Sequence, residues 1–146
     1  MTTARILVID DAATVRMYHR KLLGDAGWQT DEAVNGLEAV EKVVAAGGQE
    51  RPFDLYVVDV NMPKLDGYGF VRELRRLPAS QQAPVMMVST ESQLQDASAA
   101  QEAGANCYLV KPARPAELVL TAALLLGDGA AAARAAAAHP LPGAAR

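Results

Sequence analysis

Only one cysteine, Cys107, occurs in the 146 residues. That excludes an internal disulfide and suits a reducing compartment. No apolar run approaches the ~20 residues needed to cross a bilayer, so no membrane insertion is expected. Runs of Lys or Arg are missing too, and the net charge is −3. Nucleic acid and anionic membrane surfaces are therefore not expected partners. The opening residues, "MTTARILVIDD", lack the basic segment, apolar stretch and cleavage site of a secretory signal. A cytoplasmic location is expected.

What is present has a clear rhythm. A hydrophobic fraction of 51% over this length is enough for one self-sufficient core. Short apolar runs at 5–9, 28–34, 53–58, 84–89 and 106–111 alternate with longer helical patterns. Four of the runs are nearly continuous, as parallel strands covered on both faces require; the second is more polar and suits an edge. Helical spacing links Val15, Tyr18, Leu22 and Ala26, then Leu37, Val40 and Val44 before a stop at Gly47-Gly48, then Phe70, Leu74 and Leu77. A weakly amphipathic helix is expected over 92–103, and a fifth, "AELVLTAALLL", follows Pro115. Five β/α units in succession predict an α/β fold. The flavodoxin-like five-stranded parallel sheet, order 2-1-3-4-5 with helices on both faces, fits the length.

That topology gathers polar residues on one sheet edge. Asp10 and Asp11 follow the first strand, Asp59 ends the third, Ser89 and Thr90 end the fourth, and Lys111 ends the fifth. Asp10, Asp11 and Asp59 converge at the switch point, where open α/β sheets bind ligands. Neighbouring carboxylates repel by a few kcal/mol per close pair at an effective dielectric of ~20, and one lysine offsets only part of this. Oxygen donors without His or Cys point to Mg²⁺, Mn²⁺ or Ca²⁺, and open positions favour Mg²⁺. Asp59 is then placed to attack phosphorus and form an aspartyl-phosphate. Asp10-Asp11 also reads as a helix N-cap, Asp66-Gly67 as turn chemistry, and Thr90 as a rival to Ser89. Cys107 is expected to be a small buried hydrophobe, His19 and His139 to be surface residues, and Trp28 to cover the sheet edge.

The stretches "VIDDAATVR", "VVDVNMPKLDGYG", "VMMVSTES" and "GANCYLVKP" resemble the response-regulator receiver domain over residues 4–126. The resemblance implies that Asp59 is the phosphoacceptor. It implies that Asp10, Asp11, Asp59 and the backbone carbonyl of Asn61 hold Mg²⁺, with Mn²⁺ as a substitute. Ser89, which stands 22 residues before Lys111, takes the place of the switch hydroxyl. Lys111 contacts the phosphoryl group, Tyr108 is the aromatic that changes rotamer, and the bond before Pro112 is cis. Asn61 and Glu91 match positions that tune dephosphorylation in chemotaxis receivers. Ala12 and Ala113 replace larger residues common in the family, and Ser89 stands where Thr is frequent.

The function so implied is a phosphorylation-operated switch. It assists its own phosphorylation and dephosphorylation and is not an enzyme acting on other substrates. A sensor histidine kinase is the expected donor, and the target is a downstream protein, the flagellar motor switch if the pathway is chemotaxis. The alternatives are a phosphorelay intermediate serving a histidine phosphotransfer protein, a haloacid-dehalogenase-type phosphatase, and a binding module that does not switch. The phosphatase expects D-x-D-x-T after strand one, which "DDAAT" does not match.

The receiver is expected over 1–126, with 127–146 a loosely held Ala/Pro/Gly-rich tail and no output domain. The tail's alanine runs are shorter than the ~12–15 residues an isolated helix needs. Leu118, Leu120, Leu124 and Leu125, with Val119 and Leu126, cover more than one helical stripe and cannot all face the sheet. Either residues 130–141 fold back over the excess, or the leucines form a partner surface, such as a homodimer interface.

Overall fold

The computed structural model describes residues 3–49, 52–91 and 93–138. The elements run β1 (Arg5–Ile9), α1 (Ala13–Asp25), β2 (Gln29–Ala33), α2 (Gly36–Gln49), β3 (Leu55–Val58), α3 (Gly67–Arg75), a 3-10 turn (Ala79–Gln81), β4 (Val85–Ser89), α4 (Leu94–Ala103), β5 (Cys107–Val110), α5 (Pro115–Leu126) and α6 (Gly129–Ala138). All strand pairs are parallel and the order is β2-β1-β3-β4-β5, as the sequence predicts. Among the described residues no helix is long and apolar enough to cross a membrane.

Strand alternation sends neighbouring residues to opposite faces, and here it creates two cores. Leu7, Ile9, Tyr56, Val58, Val85 and Met87 meet Ala39, Val43, Phe70, Leu74 and Ala100 from α2, α3 and α4. Ile6, Val8, Leu55, Val57, Met86 and Val88 meet Leu23, Trp28, Leu118, Ala122 and Ala131 from the α1, α5 and α6 side. β1, β3 and β4 are thus buried on both faces except at Arg5, which explains their unbroken apolar runs.

Several helical faces differ from expectation. In α1 the buried residues are His19 and Leu23, whereas Tyr18 is exposed and Val15, Leu22 and Ala26 are half-buried. The stripe is rotated by one residue, leaving the larger Tyr18 ring at the surface. His19, expected at the surface, is 3% exposed. Burial, then the Lys111 charge, lowers its proton affinity, with Asp10 opposing. His139 lies outside the described residues. In α2 the buried hydrophobic residues are Ala39, Val43 and Ala46, with Leu37 and Val44 exposed. Nor does α2 stop at Gly47-Gly48; it continues to Gln49. Gly47 serves close approach instead, since a Cβ there would overlap the side-chain amide of Gln81.

The tail also departs from a loose extension. Residues 129–138 form α6, which packs on α5 and buries Ala131 and Ala135. Asp128 caps it by accepting from the Ala131 N–H at 3.0 Å, and accepts the Trp28 indole N–H at 3.1 Å. Trp28 is therefore buried beneath the start of the tail helix and does not merely cover an edge. Folding back covers part of the surplus apolar face of α5; residues 139–141 lie outside the described residues. Leu118 is fully buried, which removes it from any partner surface. Leu120 and Leu125 are half-buried and Leu124 is 66% exposed.

Two outcomes follow for stability. Leu118→Ala should cost about 2–5 kcal/mol by urea denaturation, while Leu124→Ala costs far less; equal losses would contradict the packing. Asp128→Ala should shift Trp28 emission to the red and increase acrylamide quenching, and an unchanged spectrum would show that the cap does not hold α6 over the indole.

Candidate functional site

The site forms where β1, β3, β4 and β5 end together. Asp10 is anchored by its own N–H, which donates to the Ala33 carbonyl of β2 at 3.1 Å. Asp59 is anchored likewise, its N–H donating to Ile9 at 2.9 Å. Sheet hydrogen bonds thus fix both backbones before any side chain acts. Gly67 lets α3 start directly under Asp59, because a Cβ there would overlap the Asp59 carbonyl. Asp66 caps α3 by accepting from the Gly69 N–H at 2.8 Å, the turn role expected of it.

Lys111 reaches across from β5. Its Nζ lies 2.7 Å from Asp10 Oδ2 and 3.3 Å from Asp59 Oδ1, with the lysine side chain only 13% exposed. Asp10 Oδ1 accepts the Ala12 N–H at 2.9 Å, and Asp59 Oδ1 accepts the Val60 N–H at 2.9 Å. The N-cap of α1 is Ala12, which makes no side-chain cap bond, so Asp10 secures the residue before the helix rather than capping it. One carboxylate oxygen from each of Asp10, Asp11 and Asp59 falls within 4.8 Å of the others. Burial raises the proton affinity of Asp59, the Asp10 charge adds to this, and Lys111 opposes it. A single ammonium among three carboxylates leaves repulsion, and the donors are all hard oxygens. The set fits an oxygen-seeking divalent cation.

The other candidates lie beside this pocket. Ser89 is fully buried at the end of β4, and its Oγ accepts the Glu91 N–H at 3.2 Å. Thr90 is exposed. The Lys111 N–H donates to the Ser89 carbonyl at 2.7 Å, joining the two strand ends. Tyr108 donates its hydroxyl to the Glu91 carbonyl at 2.8 Å, and Asn61 Nδ2 donates to Glu91 Oε1 at 3.0 Å. Glu91 thus ties the β3 loop to Tyr108. The Lys111–Pro112 bond is cis. Cys107, expected to be buried, is half-buried, and burial pushes its thiol pKa up.

One residue of the site escapes a reading by charge type. Arg16 is nearly buried and donates Nη1 to the Asp10 carbonyl at 2.8 Å while pairing with Glu32 on β2. Its signal in the sequence is position alone, five residues after Asp11 on the inner turn of α1.

Comparison with known proteins agrees with this geometry. The family model "Response regulator receiver domain" matches residues 6–123. The chain is 37% identical over 107 residues to the gliding motility regulatory protein of Myxococcus xanthus, covering 73% of this chain and 13% of that protein. It is 39% identical over 126 residues to the transcriptional regulatory protein PrrA of Mycobacterium tuberculosis, covering 86% of this chain and 51% of PrrA. It therefore spans about half of one relative's length and far less of the other's. Among solved structures, the chemotaxis response regulator CheY4 of Vibrio cholerae superposes with a TM-score of 0.75 at 32% identity, over 85% of this chain and 99% of CheY4. The signal receiver domain of a histidine kinase from Syntrophus aciditrophicus gives 0.75 at 31%, over 87% and 92%. With a match that runs from β1 into α5 and takes in every strand end of the acidic pocket, the chain belongs to the response regulator receiver domain family.

Proposed function

We propose that Asp59 accepts a phosphoryl group from a phosphohistidine of a sensor histidine kinase, and that the resulting state is read by a protein partner in the cytoplasm. The observation that carries this reading is the Lys111 ammonium shared by Asp10 and Asp59 beside three converging carboxylates. An Asp59 carboxylate oxygen attacks phosphorus; the P–N bond breaks, and the imidazole keeps the electron pair. Mg²⁺, held by Asp10, Asp11, Asp59 and the Asn61 carbonyl, or Mn²⁺ in its place, would neutralise charge on the transferring phosphoryl oxygens. Lys111 takes a phosphoryl oxygen as well, since its ammonium already sits at Asp59 Oδ1.

Ser89 follows the new charge, and the chain Ser89–Glu91–Tyr108 carries the change to the face of α4, β5 and α5. Leu94 there is 86% exposed, and Val110 and Leu124 are also exposed, which supports a partner-reading surface. Asn61 and Glu91, hydrogen-bonded above the pocket, govern access of water to the phosphoryl group. Similarity to a chemotaxis regulator and to a gliding motility regulator supports a role in motility. A relay role is the second reading, favoured by the likeness to a receiver domain of a histidine kinase.

Intact mass after incubation with acetyl phosphate should show a Mg²⁺-dependent gain of one phosphate, absent in Asp59→Asn. No adduct from either acetyl phosphate or a phosphorylated kinase would sink the reading. A half-life of seconds to minutes supports the motility role, and a far longer one the relay.

Repulsion in the pocket gives a second outcome. The folded-state pKa of Asp59 is raised, so its ionisation opposes folding as pH rises through that value. In EDTA at pH 7, Asp59→Asn should therefore melt higher than wild type, by an amount that shrinks toward pH 4 and on adding Mg²⁺. A lower melting temperature for the variant in EDTA would contradict it.

A further inference from the structure

We infer that Arg16 is a positioning residue for the cation site: it sets the Asp10–Asp11 backbone from behind. The inference rests on reading Asp10, Asp11 and Asp59 as that site. The β1 ladder ends at Asp10, whose N–H is fixed by Ala33 and whose carboxylate is fixed by Ala12 and Lys111. Its carbonyl is held by Arg16 Nη1 at 2.8 Å. That carbonyl belongs to the peptide joining Asp10 to Asp11. Rotation of this peptide would carry the Asp11 carboxylate away from Asp59. Arg16 can hold it because it is itself clamped. Its Nε pairs with Glu32 Oε1, and the other Glu32 oxygen takes Arg20 Nη1 at 2.6 Å. Arg20 Nε in turn meets Thr30 Oγ1 at 3.2 Å. A chain of contacts thus runs from edge strand β2 through Glu32 and Arg16 to the acidic pocket. A guanidinium suits the position because its planar fork serves two acceptors in different directions; an ammonium is a single point of charge.

Charge and positioning make opposite demands on this residue, which makes the inference testable. Removing a cation near three carboxylates should tighten divalent binding if only charge matters. Loss of a group that orients a ligand typically weakens binding by 10–100-fold. The measurement is Mn²⁺ binding to the full chain, read from the EPR signal of free Mn²⁺, for wild type, Arg16→Met and Arg16→Lys, with circular dichroism confirming the fold. Arg16→Met should bind about tenfold more weakly, and Arg16→Lys, which keeps the charge, should fall between it and wild type. Equal or tighter binding by folded Arg16→Met overturns the inference. Should Arg16→Met fail to fold, Arg16→Lys decides, and wild-type affinity in that variant overturns it. Absence of Mn²⁺ binding by wild type would defeat the cation-site reading itself, and the inference with it.

Discussion

One ammonium lies between two carboxylates, and the rest of the structure is arranged to put it there. Lys111 Nζ sits 2.7 Å from Asp10 and 3.3 Å from Asp59, three groups drawn from β5, β1 and β3. A parallel sheet with β1 and β3 adjacent brings those strand ends to one edge, and the reversal of strand order at β1 places helices on both faces. The ammonium cannot balance the pocket. With a third carboxylate, Asp11, within 4.8 Å, each close like-charge pair costs about 3 kcal/mol at an effective dielectric of ~20. That residual repulsion is what the proposed cation would relieve.

Holding such charges at fixed positions needs a scaffold that does not relax. The two cores supply it, because each of β1, β3 and β4 is packed on both faces and cannot shift register without exposing an entire apolar set. Hydrogen bonds at the strand ends extend this rigidity into the loops: Asp10 to Ala33, Asp59 to Ile9, Lys111 to Ser89. Arg75 does the same at the opposite edge, donating to the Gly104 and Ala83 carbonyls and to the side chains of Gln82 and Asn106. Burial lowers its proton affinity, with Tyr56 opposing, and its planar fork staples α3 to the leads of β4 and β5.

The sheet was legible because central parallel strands leave an unmistakable mark, a continuous apolar run ending in a polar residue. Asp59 after Leu55–Val58 is the clearest instance. Helical faces were harder, because α1 and α2 meet the sheet partly through residues that carry little hydrophobic signal. Ala39 and Ala46 are buried while Leu37 and Val44 are exposed, and His19 takes a core position. Alanine fits where helix and sheet approach closely, so size, not hydrophobicity, decides the inward face. The tail admits two readings, a loose extension and a fold-back over α5, and helix propensity alone favours the first. Ten residues are too few for an isolated helix, but Asp128, Trp28 and the surface of α5 supply tertiary contacts that propensity ignores. Arg16 was hidden differently, since its role lies in reaching a backbone carbonyl, which no pattern of side-chain types displays.

Under the proposed function, a charge imbalance at the strand ends becomes a signal only if something mobile is tied to it. Ser89 is the rigid end of that tie, buried at the terminus of β4, and Tyr108 is the half-buried end near the surface. Glu91 joins them: its N–H meets the Ser89 hydroxyl, its carbonyl takes the Tyr108 hydroxyl, and its carboxylate takes Asn61 from the β3 loop. Each bond is single and partly open to solvent, so the chain can exchange partners at small cost, whereas the sheet beneath it cannot. Under the proposed function, a change of charge at Asp59 would be expressed through the β4–α4 loop and Tyr108. On that proposal, the division between an unyielding floor and a lightly bonded rim would let a local electrostatic event bias a distant surface.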